Sequence, residues 1–335
     1  MIKKDGQLHK KRVSETLGLA LKYLRYEKER ILWIDAVCIN QDDKQERSYQ
    51  VSMMSLVYTG ARRVCVWLGD DDEYSTIAIK FIRDEIAKLK NFDTLCTDKQ
   101  HASKWRALLI LMQRAWFSRR WVVQEIALAG EAVVHCGPDK IFWRELAIAV
   151  ELFVEIEMAT HRLSELMKKD DKFALIPNCF EHISELGASL LVNATARIFR
   201  EHQAGEEDKT SKQVSSRRSL LSLEYLVNSL SIFGCGRPHD SVYALIAIAR
   251  DAARHPPSPI TQQSTEEDKE DLIVKVFVDE LEQKPYPLDC TCPYPDICKE
   301  FTLFCIQHGE KTDPVQTLDI LCRPWAKDWR PGEDL

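Results

Sequence analysis

The sequence predicts an α/β module built on a parallel sheet, followed by a mainly helical region. Three observations carry that expectation. Residues 31–34 (Ile-Leu-Trp-Ile) and 64–68 (Val-Cys-Val-Trp-Leu) are short apolar runs, closed by Asp35 and Gly69. Between them lie a polar cluster (Asn40, Gln41, Asp42 and Asp43) and a helical period. Strand, loop, helix, strand is a βαβ unit, whose strands pair in parallel through a right-handed crossover. From about residue 145 onward helical periods dominate. Ligands of open parallel sheets sit beyond the carboxyl ends of the strands, which makes Asp35 and Asn40 candidate substrate-binding residues.

The elements follow in order. Val13, Leu17, Ala20, Leu21 and Leu24 recur at helical spacing, so residues 12–28 read as an amphipathic helix. After the polar cluster, Val51, Met54, Val57 and Tyr58 share one helical face. The acids at 70–73 precede a third helix built on Ile77, Phe81, Ile82, Ile86 and Leu89, and acids there favour its positive end. Residues 91–103 are polar and read as a loop, and an apolar-faced helix follows from Trp105. The block WFSRRWVVQE (116–125) merges into a helix that Gly130 is placed to stop. Residues 132–137 form another short strand, and Trp143 begins the next helix. Further on, residues 203–218 and 252–271 read as mobile loops, the second Pro-rich and then acidic. Pro238 and Asp240 suit a helix start. The reading divides the chain into an α/β domain at 1–145 and a helical region at 146–335.

Composition excludes several function classes. The 335 residues are 45% hydrophobic and 29% charged, ordinary for a globular protein. A net charge of -6 argues against a nucleic-acid surface. No apolar run approaches the roughly 20 residues of a membrane helix, and no apolar segment follows the basic N-terminus, so no membrane span and a cytoplasmic location are expected. Eleven cysteines, an odd number, lie scattered through apolar runs and read as reduced thiols. Cys290, Cys292, Cys298, Cys305 and His308 match no paired zinc spacing, so no metal site is expected.

The wording of residues 31–69 is itself distinctive. WIDAVCINQ at 33–41, Glu46-Arg47, Gln50-Val51, Met53, Tyr58 and VWLG at 66–69 resemble the heterokaryon incompatibility (HET) domain of filamentous fungi. A second phrase of that family, WF-x-R-x-W-x-x-Q-E, agrees at Trp116, Phe117, Arg119, Trp121, Gln124 and Glu125. The stretch from Arg237 to Leu245 and the later PYPDICKEF, LDILC and PWAKDW also resemble phrases from the helical part of such proteins.

The resemblance implies a role in non-self recognition and programmed cell death, with protein partners and self-association. It also implies a TIR-like, flavodoxin-like parallel sheet. NAD-cleaving TIR domains carry a tryptophan a few residues before the catalytic glutamate, a spacing that Trp121 and Glu125 fit. By this analogy NAD is a substrate, no cofactor is required, Glu125 is the candidate catalytic residue, and Arg119 and Trp121 join Asp35 and Asn40 as candidate substrate contacts. Cleaving the nicotinamide–ribose bond develops positive charge on the ribose, which a carboxylate stabilises. Other readings stay open: Glu125 as a solvated or dipole-complementing acid, Trp121 as packing, Arg119 as a surface cation, Asp35 as a loop cap. HET domains usually open with a strand phrase like Tyr-x-Ala-Leu-Ser-Tyr-x-Trp-Gly, which this sequence lacks. The sheet is therefore expected without its central first strand, its remaining strands either closing on each other or keeping unpaired edges. A non-catalytic self-assembly module and an inactive truncated copy are the alternative functions.

Overall fold

The computed structural model describes residues 2–4, 7–9, 12–25, 30–88, 92–168, 183–200, 218–252, 286–308 and 325–326. Strands β1 (Ile2–Lys4) and β2 (Gln7–His9) form an antiparallel hairpin that the sequence pattern did not indicate. Helix α1 (Glu15–Tyr23) begins at Ser14, whose hydroxyl accepts from Leu17 N at 3.2 Å. A four-residue α2 (Asp35–Cys38) follows, then α3 (Lys44–Gly60), capped by Asp43. Strand β3 (Val64–Trp67) leads to α4 (Glu73–Asp84), where Asp72 and Ser75 cap each other reciprocally. Helices α5 (Phe92–Thr97), α6 (Ala102–Met112) and α7 (Trp121–Leu128) precede β4 (Ala132–Cys136) and β5 (Asp139–Phe142). The remainder is α8 (Trp143–Thr160), α9 (Arg162–Met167), α10 (Gly187–Ile198), the strand pair β6 (Phe199–Arg200) and β7 (Arg218–Ser219), α11 (Leu223–Ser229), α12 (Asp240–Tyr243) and α13 (Tyr294–His308).

The architecture is α/β, but the sheet is small and mixed, with order β3-β4-β5. The βαβ expectation needs correction. Residues 31–34 are not a strand, and the parallel partner of β3 is β4, in register Val64↔Ala132 to Trp67↔His135. The apolar run turns instead toward α3: Trp33 meets Tyr58 edge-on at 6.4 Å, while Ile31 is fully exposed. Among the described residues β3 pairs on one side only. A second correction concerns residues 91–103, which include helix α5. Its apolar residues, Leu95 and Cys96, are adjacent rather than periodic, and the helix is held by tertiary contact: Trp105 Nε1 donates to Leu95 O at 2.8 Å. Strand β5 was unanticipated because its turn, Gly137-Pro138, follows β4 immediately. Gly137 holds φ +51°, and glycine at the first central position of a two-residue hairpin loop is a favoured arrangement.

The chain divides into two compact units. One comprises Met1–Ser118 and Ala129–Asn193, the other Arg119–Leu128 and Ala194–Leu335, so α7 belongs with the later helices. In the first unit one sheet face (Val64, Val66, Val134, Cys136, Ile141) is buried, and α4 and α8 pack on the sheet and on each other. Helix α6 extends that core through Trp105, Leu108 and Leu109, all completely buried. The opposite face carries Cys65, Trp67 and His135, with Phe142 48% exposed. Tyr23 stacks on Trp67 at 5.4 Å, and Arg30 Nη2 donates to Cys65 Sγ at 3.1 Å. In the second unit Val227, Val242, Leu245 and Phe301 form the buried centre. No described helix is long and apolar enough to cross a membrane. None of the nine described cysteines is in a disulfide. The expected loops at 203–218 and 252–271 lie almost wholly outside the described residues, as do LDILC and most of PWAKDW.

Candidate functional site

The first unit gathers polar groups beyond the carboxyl ends of its parallel strands. Leu68 N donates to His135 O and Gly137 N to Gly69 O, each at 2.9 Å, which brings the ends of β3 and β4 together. Arg114 closes the loop between β3 and α4, its Nη1 donating to Asp70 O at 3.2 Å and its Nη2 to Asp72 Oδ2 at 2.5 Å. Asp70 also accepts from the Tyr23 hydroxyl, and this bond, ahead of partial burial, pushes the phenol pKa up. His135 is driven down to about 4, first by burial and then by Arg30, Lys140 and Arg63, so its imidazole is neutral at pH 7. Among the described residues no group of three or more His, Cys, Asp or Glu side chains could hold a metal ion.

Asp35 and Asn40 also belong to this unit and are exposed. Asp35 Oδ1 accepts from Ala36 N at 2.7 Å at the start of α2. Asn40 Oδ1 accepts from Asp42 N at 3.4 Å, and Asn40 N donates to Glu46 Oε1 at 3.0 Å, tying the turn to α3. Both side chains thus have local backbone roles, the reading that the residue types allow on their own.

Arg119, Trp121 and Glu125 fall in the second unit. Trp121 and Glu125 lie four apart on α7, hence on one face, and both are half-buried. Arg119 is exposed, its backbone bridged in parallel to Gly234. Arg120 is the buried cation: completely inaccessible, it donates from Nη1 to Leu230 O and from Nη2 to Val227 O, each at 3.0 Å. Burial lowers its pKa to about 10, partly offset by Cys235, Tyr294 and Asp240, and it remains charged at neutral pH. Gln124, one turn after Arg120, is 1% exposed, and among the described residues its Oε1 meets no hydrogen-bond partner, nor does Arg120 Nε. Of two adjacent arginines, the sequence pattern favoured Arg119. Nothing local marks Arg120 as the one whose bonds reach across the fold, because its partners lie more than 100 residues away.

Residues 2–125 match the family model described as heterokaryon incompatibility protein (HET). The chain is also similar to heterokaryon incompatibility protein 6, OR allele, of Neurospora crassa, with 27% identity over 196 residues. That alignment covers 48% of this chain and 29% of the relative, so the chain spans well under half of that protein. No solved structure matches the chain.

Proposed function

We propose that this chain, a fungal HET-domain protein through its residues 2–125, acts in the cytoplasm in heterokaryon incompatibility, where recognition of non-self after cell fusion leads to cell death. The match to the HET family carries this reading, and the likeness to an incompatibility protein of Neurospora crassa supports it. The proposed chemistry is TIR-like cleavage of NAD, with NAD as substrate and no further cofactor. Glu125 is the catalytic carboxylate. It stabilises the positive charge that develops on the ribose as neutral nicotinamide departs; water then bonds to the anomeric carbon and releases a proton to solvent, so no proton donor to the leaving group is needed. The half-buried pair Trp121 and Glu125 on one face of α7 supports this, because it sets an aromatic surface beside a carboxylate. Arg119 is the remaining candidate substrate contact in the unit that holds α7, while Asp35 and Asn40, exposed in the other unit, are separate candidates.

The test is nicotinamide release from NAD by the purified chain. Release that disappears in Glu125→Ala supports the enzyme. Absence of release from the wild-type chain removes the catalytic reading.

A second reading, a non-catalytic module that signals by self-association and protein contact, draws on a separate observation. The Asp35 and Asn40 side chains already bond their own turns. This reading predicts that Glu125→Ala leaves killing intact and that gel filtration finds an assembly whose disruption abolishes killing.

A further inference from the structure

Helix α7 has only eight residues, too few to be stable in water by its own hydrogen bonds. Tertiary bonds therefore decide where it lies, and the residue before it supplies three. The guanidinium of the fully buried Arg120 donates to Val227 O and Leu230 O, each at 3.0 Å. These carbonyls belong to the last turn and cap of α11, where helix carbonyls lack intrahelical donors and the helix dipole is negative. The third bond is main-chain, from Arg120 N to Gly234 O at 2.9 Å, and the bridge between Arg119 and Gly234 runs beside it. The chain then turns straight into α7, with Val123 N donating to Arg120 O at 3.2 Å.

We infer that Arg120 is a positioning residue: through it, segment 227–234 of the helical part sets the orientation of α7 and of the Glu125 site. The inference deepens the proposed function and rests on its reading of Glu125. The anchorage is specific to a guanidinium, since two carbonyls on successive turns of chain are met by two nitrogens of one planar fork. No carboxylate lies at ion-pair distance from Arg120 among the described residues. Its charge is held by the helix end, so displacing that end leaves a buried cation without its acceptors. Arg120 Nε and Gln124 Oε1, one turn apart, are both buried and meet no hydrogen-bond partner among the described residues. An anchor with unmet bonds is released at lower cost than a fully satisfied one. A contact that moves 227–234 thus changes the Glu125 site without touching it.

Hydrogen exchange of the full chain, read by mass spectrometry in Arg120→Met and Arg120→Lys, tests this. In Arg120→Met, amides of residues 121–128 and 227–234 should exchange at least about tenfold faster, while those of 64–67 and 132–136 change less than about twofold. Arg120→Lys keeps the charge but not the fork, and should recover part of the protection. In nicotinamide release, Arg120→Met should lower kcat with KM nearly unchanged, as expected when geometry rather than binding is lost. Unchanged protection of 121–128 in Arg120→Met overturns the inference, as does an equal loss in 64–67 and 132–136. Should Arg120→Met fail to fold, Arg120→Lys carries the same comparison. Absence of release from the wild-type chain contradicts the Glu125 reading alone, and the exchange pattern still decides the anchoring role.

Discussion

Gly137 holds φ +51°, and a Cβ there would lie 2.7 Å from Asp71 Cγ. Left-handed backbone and close approach together leave room for glycine only. Gly137→Ala should cost about 1–3 kcal/mol, read as a lower urea midpoint. His135 gives a pH dependence whose sign is fixed by its folded pKa of about 4, below the usual value near 6.5. Between those values the unfolded chain binds the extra proton, so stability is full above about pH 6.5 and is lost as pH falls toward about 4. Urea unfolding at pH 7 and pH 5 should show that loss, and His135→Gln should flatten it. At this scale the sequence was partly legible. It marked Asp35 and Asn40 as polar turn residues, which is how their side chains are used. It could not separate Arg119 from Arg120, because the choice depends on Val227 and Leu230.

Packing governs the elements. Trp105 is fully buried between Phe81, at 5.0 Å, and Phe153, at 5.8 Å, and its indole N–H holds α5 through Leu95 O. Trp105→Ala should destabilise the first unit by about 3–5 kcal/mol, with α5 exchanging first. At the junction of α8 and α9, the exposed His161 takes the left-handed conformation at φ +53° and lies 3.5 Å from the buried Glu157, whose other carboxylate oxygen accepts from Ser164 N. His161→Gly should therefore raise stability by up to about 1 kcal/mol, measured as a higher melting temperature. Helices with a strong period were readable: α4, α6 and α8 form close to where the apolar spacing puts them. Residues 31–34 misled because four apolar residues suit a strand or a packed coil equally, and the neighbour of β3 is chosen by β4. Helix α5 lacks a period of its own and exists through Trp105.

For the whole molecule, the family resemblance was more legible than the arrangement of the sheet. Local phrases at 33–41 and 66–69 carried the resemblance to the HET family, and the family match over residues 2–125 agrees with them. The expected parallel sheet did not follow from those phrases. In the first unit three strands in mixed order lay one face against a core made chiefly by α4, α6 and α8. Which unit α7 joins is set by bonds to residues 107 and 110 positions away from Arg120, beyond any local pattern. That membership places Glu125 on a helix anchored by the helical part of the chain. The most direct measurement is cell viability together with cellular NAD after induced expression in a fungal host, comparing the wild-type chain with Glu125→Ala. The account predicts that the wild-type chain lowers NAD and kills, while Glu125→Ala does neither. Killing with NAD unchanged, or undiminished in Glu125→Ala, would contradict it.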